Sequence, residues 1–73
     1  MASIDGVSEI TGKVWKIVAE VGDRLEEGDI VVILESMKME VPVQAIQAGV
    51  VTAILVAEED AVTEGDTVFT LAT

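Results

Sequence analysis

The sequence predicts an all-β fold, a small barrel or a sandwich, from three observations. Valine and isoleucine favour strands because branching at Cβ suits a pleated surface, and they number thirteen and seven among the 73 residues. Turn signals, in which aspartate follows glycine, divide the chain into short apolar runs. A shift of 37 residues then aligns the chain with itself without a gap.

The internal repeat covers positions 12–34 and 49–71, and nine of these 23 positions are identical. Each copy contains a leading glycine, Gly12 or Gly49, and a Glu-Gly-Asp triplet at 27–29 or 64–66. Glycine beside aspartate predicts the same turn in both copies, because both residues tolerate turn conformations. We therefore expect one domain over residues 1–73, built from two copies of one unit.

The turn signals divide the chain into eight predicted strands. One segment is ambiguous, since Val14, Ile17 and Val18 also have helical spacing. We favour a strand there because the segment is short and is bounded by Gly12 and Gly22, and we expect Trp15 within it to serve packing. The predicted strands are 7–10, 13–19, 24–26, 30–36, 39–45, 50–57, 61–63 and 67–72.

Composition excludes several classes of function. Fourteen acids against four bases give a net charge of −10, which repels nucleic-acid phosphates. Without histidine or cysteine the chain has no imidazole base, thiol nucleophile, disulfide or zinc site. The apolar run at 30–34 is too short to cross a bilayer, and the first residues do not resemble a secretion signal. We expect a cytoplasmic protein with neither a nucleic-acid nor a membrane partner.

Strands 30–36 and 39–45 predict one hairpin between the two copies. Alternation of apolar and polar residues allows a tip at Met37-Lys38 or at Ser36-Met37. A tip at Met37-Lys38 gives the hairpin one buried face that is shared by six side chains. These six form the pairs Leu34 with Val41, Val32 with Val43, and Ile30 with Ala45.

The predicted tip departs from the usual sequence rules for hairpins. Tight turns prefer asparagine and glycine, because their central residues need positive φ, whereas this tip has Met37 and Lys38. Glu35 and Glu40 would face each other, which destabilises a strand pair. Met37 and Met39 also bracket the lysine where water is expected. Such local failures cluster at functional sites, so the hairpin tip is a candidate functional site.

The segment Glu35-Ser36-Met37-Lys38-Met39-Glu40 resembles the biotin attachment motif of biotin carboxyl carrier proteins and biotinyl domains, in the biotin/lipoyl attachment family. The resemblance extends over about residues 7–72, and the commoner family form has alanine where Ser36 stands. It implies a flattened barrel of two four-stranded antiparallel sheets with quasi-twofold symmetry, a barrel-sandwich hybrid. It also implies that Lys38 lies at the hairpin tip and that both termini lie at the opposite end.

The resemblance implies a carrier subunit that is not itself an enzyme. A biotin ligase would join biotin to Lys38, with Met37 and Met39 as an apolar recognition surface. Glu35, Ser36 and Glu40 complete the motif and are expected to serve ligase recognition. The attached biotin would take carboxyl groups from a biotin carboxylase to a carboxyltransferase of a biotin-dependent carboxylase, with acyl-CoA as the favoured acceptor class and pyruvate and urea left open.

Three alternatives and two departures accompany this interpretation. A lipoyl carrier would share the fold, but lipoyl domains usually have aspartate before the lysine and alanine after it. A dual biotin/lipoyl attachment protein and an unmodified β-barrel interaction module also stay open. Glu59 occupies the turn position that Gly22 has in the first copy, so that turn is expected to be strained or reshaped. The thumb insertion of some carriers is absent, and the initial Met1 favours a free-standing subunit.

Overall fold

The computed structural model describes residues 2–73 and contains two four-stranded antiparallel sheets. One sheet has the order β1-β8-β6-β3 and the other has the order β5-β4-β2-β7. The all-β prediction is confirmed, and the segment with helical spacing is a strand. The elements are β1 (Ser3–Val7), β2 (Gly12–Ile17), β3 (Arg24–Leu25), β4 (Ile30–Ser36), β5 (Met39–Gln44), β6 (Gly49–Ile54), β7 (Ala61–Val62) and β8 (Thr67–Ala72).

The internal repeat relates one sheet to the other. Adding 37 to the residue numbers turns β1 to β4 into β5 to β8, within a residue at the strand ends. Each registered pair in the first sheet then has a counterpart, as when Val51↔Leu71 corresponds to Val14↔Leu34. The quasi-twofold symmetry predicted from the sequence is therefore confirmed, and it reaches beyond the region where residues are identical.

Side chains from both sheets fill one core. A buried valine, leucine or phenylalanine contributes roughly 1.5–3 kcal/mol, so this core is the main source of stability in a chain without cysteine. Within residues 2–73, no helix is long and apolar enough to span a membrane. The core residues are Val14, Ala19, Leu25, Val31, Val32, Leu34, Val43, Ala45, Val51, Val62, Val68, Phe69 and Leu71.

A β-bulge corrects the predicted buried face of the hairpin. The register shifts between Ile30 and Val32, so Ile30 pairs with Gln44 rather than with Ala45. The extra residue lets Val31 and Val32 both point inward, and Ile30 is left 38% exposed. The prediction that Ile30 is buried is therefore wrong. Leu34, Val32, Val43 and Ala45 are buried as predicted, and Val41 is half-buried.

Two further predictions are wrong. The first strand is Ser3–Val7 rather than 7–10, because Gly6 fills a core position and the Ser8 hydroxyl donates a 2.6 Å hydrogen bond to the Ile10 carbonyl that turns the chain. Trp15 does not serve core packing, since it is 49% exposed at a register shift between Val14 and Lys16. The strands β2 and β6 also end earlier than predicted.

Four turns of one design connect the strands, at residues 20–23, 26–29, 57–60 and 63–66. In each turn the aspartate carboxylate accepts the backbone N–H of the residue three positions earlier, at 2.9 Å. The third residue has positive φ, 97° at Gly22 and 76° at Glu59. The turn at Glu59 is therefore not reshaped, and Glu59 itself adopts the strained backbone conformation.

Candidate functional site

The hairpin tip consists of Met37 and Lys38. Their φ angles are 50° and 68°, which matches the two positive values that a type I′ turn requires. Ser36 pairs with Met39 at the base of this turn, and Glu35 pairs with Glu40 in the next position. The structure thus confirms the tip at Met37-Lys38 and excludes the alternative at Ser36-Met37. It also confirms that the two glutamates are opposed.

The tip is exposed while its supporting strands are anchored in the core. Met37 is 93% exposed and Met39 is 66% exposed, on either side of the exposed Lys38. Further down β4, Leu34 and Val32 are fully buried. A backbone conformation that costs about 1–2 kcal/mol for each non-glycine residue is thus held by strands whose inward side chains are packed in the core. The result is a lysine amine on a rigid support.

A small set of contacts fixes the base of the hairpin. The Ser36 hydroxyl donates to the Thr11 carbonyl at 3.1 Å, and the Thr11 hydroxyl accepts the Glu64 N–H at 3.1 Å. A Cβ on Gly12 would lie 2.7 Å from the Glu35 carbonyl oxygen, so that position admits little more than hydrogen. Thr11 was not identified from the sequence. The neighbouring Gly12, which begins the repeat, was the feature of the sequence that could have indicated a close contact at the base of the hairpin.

Charges beside the hairpin are mostly negative. Lys13 on β2 pairs in register with Glu35, and its amine forms an ion pair with Glu59. The hydrogen bond and the charge of Glu59 raise the pKa of Lys13 above its usual value, and Glu35 adds a smaller effect. In the part of the chain that the structure describes, residues 2–73, Lys38 has no carboxylate partner.

The arrangement suits attachment of a group to the Lys38 amine. Lys38 presents a primary amine that a carboxylic acid can acylate, and covalent attachment requires no enclosing pocket. Met37, Met39, Glu35 and Glu40 surround it on the same hairpin. Among residues 2–73, no group of acidic side chains is arranged to bind a metal ion. A small acid coupled through an amide fits this site.

Comparison with known families supports the same interpretation. A biotin/lipoyl family profile, described as "Biotin-requiring enzyme", matches residues 3–71. The chain belongs to this biotin/lipoyl family. The match covers both copies of the internal repeat and the hairpin between them.

Two curated relatives of this biotin/lipoyl domain are small proteins. The biotin/lipoyl attachment protein of Bacillus subtilis is 43% identical over 63 residues, covering 86% of each chain. The biotinylated protein TB7.3 homolog of Mycobacterium leprae is 44% identical over 59 residues, 81% of this chain and 83% of the relative. Both alignments cover most of each partner, so the similarity is not confined to the lysine motif.

A solved structure has the same fold. The urea carboxylase of Kluyveromyces lactis superposes with a TM-score of 0.94 and 43% identity, over 99% of this biotin/lipoyl domain. The match spans 6% of that much longer chain. The barrel-sandwich architecture that the motif implied is therefore the architecture of a domain within a carboxylase.

Proposed function

We propose that this chain is a biotin carboxyl carrier and that a biotin ligase attaches biotin to Lys38. The observation that carries the proposal is the exposed Lys38 amine at a positive-φ tip, between two exposed methionines and on strands anchored in the core. The similarity of this chain to a urea carboxylase and to a biotinylated protein homolog supports biotin as the attached group. The chain acts as carrier, and other proteins perform the carboxylation chemistry.

The attachment step needs little from the carrier beyond presentation of the amine. Only the neutral amine is a nucleophile, so the ligase must supply a base that takes a proton from the Nζ ammonium group. The neutral Nζ then forms a C–N bond to an activated acyl carbon, and the bond from that carbon to its phosphate-type leaving group breaks. The second amine proton passes to the ligase. The rigid tip lowers the entropic cost of positioning Nζ for this reaction.

The finished arm explains why a small carrier is useful. Lys38 and the attached acid form a chain of about ten bonds, which reaches on the order of 12 Å from the backbone. A tether of this length keeps its end at an effective concentration of about millimolar near a bound partner. We therefore propose biotin carboxylase and carboxyltransferase sites as successive partners of the arm. The carboxyltransferase, and not this chain, selects the substrate that accepts the carboxyl group.

The two methionines are proposed as an apolar recognition surface for the ligase. Methionine is flexible and polarisable, which suits contact with a partner, and exposure at 93% and 66% is unfavourable without one. Replacing Met37 and Met39 by alanine should lower the rate of biotin attachment at limiting carrier concentration. An unchanged rate would remove this role. Glu35 and Glu40 are proposed to orient the same contact by their charges.

Attachment of lipoate is the second candidate, because one relative is a biotin/lipoyl attachment protein. Both acids would form an amide with the same Nζ, so geometry does not separate them. The residues on either side of Lys38 favour biotin, since Met37 and Met39 stand where lipoyl domains usually have aspartate and alanine. The two functions predict different partners for one hairpin.

A paired modification assay tests the proposal. The purified chain is incubated with a biotin ligase, ATP and biotin, and separately with a lipoate ligase, ATP and lipoate, and intact mass is followed with time. We expect complete addition of one biotinyl group, at a much higher rate than lipoylation. Lys38→Arg should block the addition, and Lys16→Arg serves as the matched control that does not. Faster lipoylation would favour the second candidate, and no addition by either ligase would contradict both.

A further inference from the structure

An apolar patch lies on the outer face of the sheet that contains the hairpin. Ile33 stands between the buried residues Val32 and Leu34 on β4, so it points away from the core. It pairs directly with Pro42, which is exposed on the edge strand β5. Trp15, 49% exposed, occupies the bulge of β2 on the other side of β4. We call Trp15, Ile33 and Pro42 the outer patch.

The internal repeat shows that the fold does not require apolar residues at these positions. The counterparts in the other sheet, related by 37 residues, are Thr52, Thr70 and Asp5. Thr52 and Thr70 are neighbours, since their hydroxyls lie 2.6 Å apart in a hydrogen bond. Their equivalents Trp15 and Ile33 are therefore neighbours as well. At these three positions the backbone has polar residues on one sheet and apolar residues on the sheet with the hairpin, whereas the flanking Lys13 and Lys16 correspond to Val50 and Ala53.

The outer patch lies on the same hairpin as the tip and is separated from it by an acidic border. Ile33 and Pro42 pair three positions below Ser36 and Met39, which is about 10 Å along the strands. Glu35 and Glu40 lie between them on the same face, by the alternation of strand side chains. A complementary partner thus offers an apolar centre with basic groups on the side toward the tip.

The length of an unmodified lysine selects the partner. Lys38 Nζ extends only about 6 Å beyond its Cα, so an enzyme that acylates it must close against the hairpin itself. The arm reaches about 12 Å after modification, so later partners can act on its end without covering the strands. The outer face of the hairpin, which contains the outer patch about 10 Å from the tip, is within reach of an enzyme that closes in this way.

We propose that the outer patch is the docking surface for the enzyme that acylates Lys38. The patch gives this enzyme a contact on rigid strands, separate from the motif residues, through which it distinguishes the hairpin from other exposed lysines. A half-exposed tryptophan with apolar neighbours is typical of residues that dominate binding energy. The inference rests on the proposed function, and its test uses two readouts so that the two can fail separately.

The kinetic test replaces two residues of the outer patch by their counterparts from the second copy of the repeat. The double variant Trp15→Thr/Ile33→Thr recreates the pair Thr52 and Thr70, which the same backbone already accommodates. With a biotin ligase, ATP and biotin, we expect KM for the carrier to rise at least tenfold, with kcat within twofold and the thermal unfolding transition retained. Thr52→Ala on the opposite sheet is the control and should leave KM unchanged. An unchanged KM in the double variant would overturn the proposal.

The binding test does not depend on modification. The chain has one tryptophan, so 5-fluorotryptophan labels Trp15 alone for ¹⁹F NMR. In the Lys38→Ala background, which removes the amine, unlabelled ligase should still shift or broaden this signal. An unperturbed signal under saturating ligase contradicts docking at the patch. A wild-type dimer that the double variant dissociates, or weakened binding of a biotin carboxylase with normal ligation, would assign the patch to another occupant and reject the proposal.

A failure of the proposed function has a different signature. The wild-type chain would then remain unmodified at Lys38 although the ¹⁹F signal responded to ligase. Conversely, normal modification of wild type and of the double variant would leave the proposed function intact and would reject the patch.

Discussion

Backbone strain is concentrated at a few residues. Within residues 2–73, positive φ occurs outside glycine at Met37, Lys38 and Glu59. Two of the three form the tip that presents the amine, where ordinary turn residues would relieve the strain. Strained residues of this kind persist because the surrounding structure holds them, and they often mark functional positions. Glu59, by contrast, lies in a turn whose three counterparts contain glycine.

Relief of strain at Glu59 gives the first prediction. Replacing Glu59 by glycine removes a left-handed penalty of about 1–2 kcal/mol, against a loss of about 0.5–1 kcal/mol in chain entropy and a weak surface ion pair. We expect Glu59→Gly to stabilise the fold by about 0.5 kcal/mol in denaturant unfolding. The reverse change, Gly22→Glu in the equivalent turn, should destabilise it. Destabilisation by Glu59→Gly would contradict this account of the turn.

The ion pair of Lys13 predicts a dependence on pH. The hydrogen bond and charge of Glu59 raise the pKa of Lys13 in the folded state, so the pair stabilises the protein below the ordinary lysine pKa. This contribution should disappear as pH rises through the folded value, above about pH 10.4. Unfolding of wild type and Lys13→Gln can be compared from pH 7 upward. We expect a constant difference in stability that shrinks only in the alkaline range; a difference that grows there has the wrong sign.

Strand pairs show how the two halves differ inside the core. Val32 pairs with Val43 in the hairpin sheet, and the equivalent pair in the other sheet is Phe69 with Gly6. A Cβ on Gly6 would overlap the Phe69 ring. One half thus fills this part of the core with two valine side chains. The other half fills it with one phenylalanine ring opposite a glycine, which has no side chain. The combined volume is conserved although the residues are not.

This exchange of volume predicts strong coupling between the two positions. Phe69→Val should cost about 2–4 kcal/mol through the cavity it leaves, and Gly6→Val should be at least as harmful through overlap with the ring. The double variant restores a valine pair, so we expect it to be less destabilised than the sum by about 1–3 kcal/mol. Denaturant unfolding of the four proteins measures this. Additive effects would show that the two halves do not share one packing solution.

The elements that the sequence predicts well are those set by local signals. Repeated Glu-Gly-Asp turns and alternation on β5 predicted the strand number, the hairpin and the exposed lysine. The wrong predictions depend on contacts between distant segments. No local signal places Gly6 in a strand, because its position depends on the Phe69 ring that packs over it. The outward positions of Ile30 and Trp15 follow from bulges. Such bulges depend on how strands pair and have no signal in a single strand.

The quasi-twofold symmetry of the whole molecule relates the hairpin tip to the two chain ends. Ser3 pairs with Ala72 in β1 and β8, as Glu40 pairs with Glu35 beside the tip. The Thr73 N–H donates to the Ala2 carbonyl at 2.9 Å and brings the two described ends together. The repeat therefore leaves a single hairpin to present the amine.

Net charge predicts how the whole domain responds to salt. Charges that sum to −10 are spread over a body of 36 × 18 × 18 Å. The screening length is about 30 Å at 0.01 M salt and about 8 Å at 0.15 M, so repulsion spans the molecule only at low salt. We expect Tm to rise over this range of NaCl, and Glu58→Gln to show a smaller rise. A Tm that is unchanged or falls would show that self-repulsion does not limit stability.

The central claim concerns one amine, and mass spectrometry of the protein isolated from its own cells tests it most directly. Fragmentation of the peptide that contains Lys38 should place one biotinyl group on that side chain, with none on Lys13 or Lys16. An unmodified Lys38 in cells supplied with biotin, or the same group on another lysine, would contradict the account.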